Sequence, residues 1–447
     1  MITQEQALAT ADRWLNPEGA GARREVRTRE FDLGWVVWAA PAPMERDPET
    51  GERRPPAEIG DACGVVDRRT GELTVWPSVP VDEVVRMYRH KHGGGSASGD
   101  GADGDGADGD ARPVTGPGNT CVFTYTDPAT GEETTLFRNS GPGLPPAEYQ
   151  VAAELRRIGV PHDDVLAIHT DLRPSLLPGG YTAELLNTYK NAALSCSQPY
   201  GARPQDRAEG IAGLIQHVEL MHQVAGQQPP PRPHRVPVPT NVPPAEPMHD
   251  AALGRHLTDV FGTDRVRRYE PDDLSAGQLP GVAWSLLTSA GLPADLPLFF
   301  TADRPDAPPA GGLFTDVATN LRERRSPAGQ ERTGALAHLT RIGFDGVAVL
   351  AVQCRPGPSE PTGLGALWAV DPVTASTRYV NISLAAYARS LAQLAITREQ
   401  MRGLDPAAAG VAVAELQEQL VSIDASALTD PDTWWSLIVE QMWHGLF

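Results

Sequence analysis

The sequence predicts a multi-domain α+β protein, and three observations carry that expectation. The chain has 447 residues, more than one hydrophobic core ordinarily organises. Two compositional breaks divide it: a tract of only Gly, Ala, Ser and Asp from Gly93 to Asp110, and a proline-dense stretch from Gln227 to Pro247. Between them, segments of strand and helix periodicity follow one another in mixed order. The expected modules are 1–92, 114–225 and 251–447. A flexible linker (93–113) and a stiff, extended one (226–250) join them.

Hydrophobic content of 40% and charged content of 21% describe folded, soluble domains. No run approaches 18 apolar residues, and Met1-Ile2-Thr3-Gln4-Glu5 opens no secretory signal, so the expected location is the cytoplasm, away from membranes. Cys63, Cys121, Cys196 and Cys354 are widely spaced with no C-x-x-C, which excludes a zinc ribbon and suits a reducing compartment. The net charge of −19 opposes direct nucleic-acid binding and favours basic partners. Aspartates repeat through the first linker, but a calcium loop begun at Asp103 would place Ala107 at its fifth position and Val114 at its twelfth.

In the first module Thr3-x-x-Gln6 is a capping box, and Ala7, Ala11, Trp14 and Leu15 share one helical face. Strands are expected at 35–38, 64–66 and 73–76, the last two around the turn at Asp67–Gly71, and a helix from Val81 to about His90. The opening helix, Glu30–Trp38 and Val66–Leu73 resemble YrhB-like immunity domains of bacterial polymorphic-toxin systems. That likeness implies a helix plus antiparallel sheet.

The second module shows strands at 121–125 and 134–137, a helix from Ala147 to Ile158, a strand over 165–170, a helix over 181–189, a strand over 192–197 and a helix over 207–224. This β-β-α-β-α-β-α order predicts a mixed sheet of the cytidine-deaminase-like kind. Ile168–Pro174, Leu177–Tyr181 and Ser197–Gly201 resemble the nucleic acid/nucleotide deaminase domains of toxin systems. The resemblance places the zinc-ligand positions at Pro146, Ser175 and Thr182 and the proton-shuttle carboxylate at Glu148. Proline has no donor atom and neutral hydroxyls are poor zinc ligands, so no metal-bound water forms to be activated. Glu148 alone is expected to be a solvated first-turn glutamate. The module is therefore expected to hold no catalytic residue, metal or cofactor.

In the third module a helix is expected at 253–261, a turn at Asp272-Asp273 and strands at 298–300, 335–342 and 347–352. A hairpin across Asp371–Thr374 should follow, then Arg378–Leu384 leading into a helix to about Leu394. Two more helices follow, the last opened by Asp430-Pro431-Asp432. Phe344-Asp345-Gly346, Tyr379–Leu384, Trp434-Trp435 and Gln441–Leu446 resemble the SUKH family of immunity proteins, itself α+β. Asp345, Trp434 and Trp435 are the candidate partner-binding residues, although paired tryptophans are commonly core.

Other constellations carry no chemistry. His217 and His222 are five residues apart and so on different faces of a helix, His90-Lys91-His92 reads as a solvated helix end, and His169 reads as packed in a central strand. Neither a Gly-x-Ser-x-Gly elbow nor a phosphate-binding loop occurs. The expected function is that of a non-catalytic immunity protein binding a basic toxin effector domain. The alternatives are a nucleotide- or nucleic-acid-binding pseudo-deaminase, a scaffold linking conflict-system proteins, and an active deaminase with substituted ligands.

Overall fold

The computed structural model describes residues 2–16, 23, 25–39, 63–76, 84–85, 88–89, 112–274, 279–357 and 363–447. The first linker through residue 111, the Asp103 loop and His90–His92 lie outside them, as does most of the helix expected at 81–90. The described part of that helix, residues 84, 85, 88 and 89, is helical.

The first module is an antiparallel meander, β1 (Val26–Phe31), β2 (Gly34–Ala39), β3 (Cys63–Asp67) and β4 (Leu73–Trp76), with helix α1 (Gln4–Leu15) on one face. Both halves of the Thr3–Gln6 capping box form. Ala7 and Ala11 pack against Trp35, Val37 and Val66, while Val36, Val65 and Phe31 pack on the opposite face against Val84, Val85 and Tyr88. Covering on both sides explains why β2 lacks the polar alternation of a half-exposed strand. Strand β1 escapes the sequence reading because Arg27, Arg29 and Glu30 give it no apolar run.

The second module contains β5 (Thr120–Thr126), β6 (Glu133–Asn139), α2 (Ala147–Arg157), β7 (Val165–Leu172), α3 (Thr182–Leu186), β8 (Ala193–Gln198) and α4 (Pro204–Val224). Its sheet order is β6-β5-β7-β8, with only β7–β8 parallel. The helix α2 lays Ala147, Val151 and Leu155 on Phe123 and Ile168.

In the third module, α5 (Asp250–Phe261), β9 (Val266–Arg267), α6 (Gly281–Ser289) and β10 (Leu292–Pro293) precede a six-stranded antiparallel meander. Its strands are β11 (Asp295–Leu296), β12 (Phe300–Ala302), β13 (Leu339–Phe344), β14 (Val349–Gln353), β15 (Leu367–Val370) and β16 (Thr377–Asn381). Helices α7 (Val317–Glu323) and α8 (Gln330–Gly334) interrupt it, and α9 (Leu384–Met401), α10 (Pro406–Ile423) and α11 (Trp434–Trp443) close the chain. Several boundaries differ from expectation, three of them for reasons of local structure. Residues 335–338 belong to the turn after α8, and α9 runs seven residues past Leu394. The third concerns α11, which is capped by Thr433, whose hydroxyl accepts the Ser436 amide; the Asp cap with N1 proline occurs instead at Asp405-Pro406 of α10.

The turns at Asp67, Asp127 and Asp371 share one device: the aspartate Oδ1 accepts an amide two residues on. Deeper in the third module, Arg341 donates Nε and Nη2 to the two Asp303 oxygens at 2.7 Å each, with both side chains buried.

Residues 227–249 form no helix or strand apart from a single bridge at His234, and they lie along the third module. Val114 and His234 exchange amide hydrogen bonds of 3.0 and 2.9 Å, and the Ala245 amide donates to Ser422 O at 2.7 Å. Val236, Val238 and Val242 pack against a core that also holds Leu172, Leu177, Tyr200, Ile211 and Leu214 of the second module. The second and third modules therefore share one apolar core.

Removing one member of the buried Arg341–Asp303 pair leaves an unpaired charge. Arg341→Met is expected to destabilise the fold by ~3–5 kcal/mol in urea unfolding, and the double variant Arg341→Met/Asp303→Leu by much less. Equal losses in both would show that the pair's charge is immaterial.

Candidate functional site

The four motif positions meet in space. Pro146 and Glu148 at the start of α2, and Ser175 and Thr182 around the start of α3, line one cavity with Asn119 and Phe447. Their local geometry is built by hydrogen bonds that need no metal. Thr182 Oγ1 accepts the Ser175 amide at 3.1 Å, so two of the ligand positions are tied to each other. Asn119 donates Nδ2 to Glu148 Oε1 at 2.9 Å and accepts the Leu172 amide at 2.9 Å, pinning the end of β7 to the first turn of α2. Glu148 is consequently only 2% exposed, contrary to the solvated glutamate expected of a first turn. Burial pushes its carboxyl up from 4.5 to about 7, against the lowering pull of its own backbone amide and of Asn119.

The remaining wall comes from the third module. Leu446 and Phe447 reach into the cleft, and Phe447, 1% exposed, sets its ring edge-on to Phe299 at 5.5 Å. Gly179 has φ +93°, and a Cβ there would stand 2.7 Å from the Phe447 ring. The space left is about 20 Å³, room for a water or so and far below the roughly 300–1,000 Å³ of small-molecule sites.

Polar contacts lock the same junction. Arg207 of α4, fully buried, forks onto Glu440 of α11 through two 2.8 Å bonds. Gln441 Nε2 donates to Pro178 O at 2.7 Å, and the Tyr200 hydroxyl and His444 Nδ1 are 2.8 Å apart. Burial drives His444 down from 6.5 to about 4 and keeps it neutral at ordinary pH. The last carbonyls of α11 are met by the second module: the Gly116 amide donates to Trp443 O at 2.7 Å, the Gly118 amide to His444 O at 3.0 Å, and the Ser140 hydroxyl to Gly445 O at 2.8 Å.

The three candidate partner-binding residues also lie inside. Asp345 Oδ2 accepts the Tyr181 hydroxyl at 2.7 Å and Trp434 Nε1 at 2.8 Å, and its Oδ1 accepts the Val347 and Ala348 amides. Its carboxyl is raised to about 6 by burial despite these donors. Trp435 Nε1 donates to Asn381 at 2.8 Å, and Asn381 in turn donates to Asp424. Asp345, Trp434 and Trp435 are therefore structural groups with no surface to offer an outside partner, because turn formation and core packing use all their polar atoms. His169 is bracketed by the Ser195 and Ser197 hydroxyls at 2.9 and 3.0 Å. Among the described residues no group of three or more His, Cys, Asp or Glu side chains could hold a metal ion. No helix among them is long and apolar enough to cross a membrane. The thiols are free, and burial raises Cys63 to about 11.

Sheet order, helix placement and the position of the cleft are consistent with a deaminase-like domain, and the cleft presents Pro146, Ser175 and Thr182, none of which is an anionic or imidazole donor. Family comparisons agree with this three-part organisation: residues 5–94 match the Immunity protein 35-like domain, 116–217 a Xanthomonas-like deaminase, and 252–441 the SUKH-4 immunity protein. No curated protein and no solved structure matches the chain. Both flanking matches are to immunity families, which supports an immunity role.

Two outcomes follow from this geometry. Elemental analysis of purified protein should find well under one zinc per chain; near-stoichiometric zinc would overturn the reading of the site as donor-free. Glu148 holds its proton longer in the fold than in the unfolded chain, so its contribution to stability worsens as pH rises from 4.5 to about 7 and is flat above. Glu148→Gln should remove that slope and, at pH 8, make the fold more stable by up to roughly 3 kcal/mol, measured by denaturant unfolding across pH.

Proposed function

We propose that the chain is a non-catalytic immunity protein that binds and neutralises a toxin effector domain in the cytoplasm. The observation that carries this reading is the pair of immunity-family matches on either side of a deaminase-like module whose ligand positions are Pro146, Ser175 and Thr182. Proline and neutral hydroxyls give zinc no anionic or imidazole donor, which supports a module without catalysis. The net charge of −19 supports a basic partner, since opposite charge accelerates encounter and an acidic surface can cover a phosphate-contacting face. It weighs against direct binding of nucleic acid. The residual space of about 20 Å³ weighs against a nucleotide in the cleft.

The burial of Asp345, Trp434 and Trp435 weighs against them as the partner-binding surface and in favour of side chains at the exterior of the modules. Affinity capture with the full chain from cells that make it should retain a basic toxin-domain protein, with retention weakening as salt rises. Co-expression should then protect a host from that domain. Recovery of the domain without protection would defeat the immunity reading and leave a scaffold.

A further inference from the structure

The way the third module meets the cleft has a use of its own. Residues 440–447 are held over the second module by contacts of every kind: the Arg207–Glu440 fork, the Gln441 bond to Pro178 O, the Tyr200–His444 pair and the Ser140 bond to Gly445 O. At their end Leu446 and Phe447 line the same cavity as Pro146 and Glu148, the place where the resemblance to deaminases would put a substrate. The receiving loop is shaped for them. Gly179 adopts φ +93° with no room for a Cβ beside the Phe447 ring, so a side chain at 179 and a ring at 447 exclude one another.

We propose that residues 440–447 are an inhibitory insert, by which the third module stoppers the deaminase-like cleft of the second in cis. The cleft is thus closed twice, once by the absence of metal donors and once by occupation, and the second closure is independent of the first. It is equally independent of whether a toxin binds elsewhere on the chain. Within this chain an immunity-type module engages a deaminase-type fold by insertion into its cleft, with Phe447 as the inserted group and the Arg207–Glu440 fork as the anchor outside it.

A thiol at the buried position 146 reports on the closure. In full-length Pro146→Cys the introduced thiol should resist a maleimide reagent. With Leu446→Ala/Phe447→Ala added it should label about tenfold faster or more, because opening of the cleft no longer has to displace the insert. Cys121, fully buried in the second module's own core, should stay unlabelled in both proteins, with the sites separated by peptide mass spectrometry. Equal rates at position 146 in the two backgrounds would overturn the proposal, as would free labelling with Leu446 and Phe447 intact. Should Cys121 label in the doubly truncated protein, the module has unfolded, and Phe447→Leu alone decides. Faster labelling at 146 with Cys121 silent then supports the insert, and an unchanged rate rejects it.

Discussion

The end of α11 is the constraint on which the rest depends. A helix leaves its last carbonyls without intrahelical donors, and this one finishes in the interior, where water cannot replace them. Gly116, Gly118 and Ser140 supply the missing donors from another module. Two of these are glycines for a reason of space: a Cβ on Gly116 would lie 2.8 Å from His444 O, and one on Gly118 2.9 Å from Gly445 O. With the carbonyls met, Arg207 and Glu440 can be buried as a pair, His444 can stay neutral beside Tyr200, and Asp345 can bridge Tyr181 and Trp434. Each of these groups would be costly alone. Their mutual satisfaction fuses two modules that are separate stretches of sequence.

Local elements were legible where their signals are local. The Thr3–Gln6 box, the three aspartate turns and the alternation through 121–198 all act over a few residues, and the structure repeats them closely. Pro146, Glu148, Ser175 and Thr182 were legible as a set because the motif spacing puts them around one cavity. What the sequence hid is non-local. Nothing near Glu148 announces that Asn119 and residues from the far end of the chain will bury it, so it read as a solvated glutamate. Trp434 and Asp345 look like recognition residues when isolated from their partners; in the fold they satisfy each other. Gln441, Leu446 and Phe447, which line the cleft from the third module, carry no catalytic motif. The only advance sign was the run Leu177–Tyr181, whose paired glycines leave space for something to approach closely.

A deaminase-type cleft without donors could be a remnant retained by drift. The structure argues for a more definite role, because the cleft is used: it receives side chains, its loop is contoured to them, and its surroundings are part of a common core. The second module is thereby a structural partner of the third. The immunity-family matches flank this module on both sides, and the cleft between the second and third modules is buried.

The hydrogen-bonded pair of Val114 and His234 has a mechanical meaning. It joins the first residues of the second module to the segment that leaves it, so that about a quarter of the chain is closed into one loop. Thr115, next in the chain, donates its amide to Pro406 O at 2.9 Å, so the entry to the second module is tied at once to the segment that leaves it and to the third module.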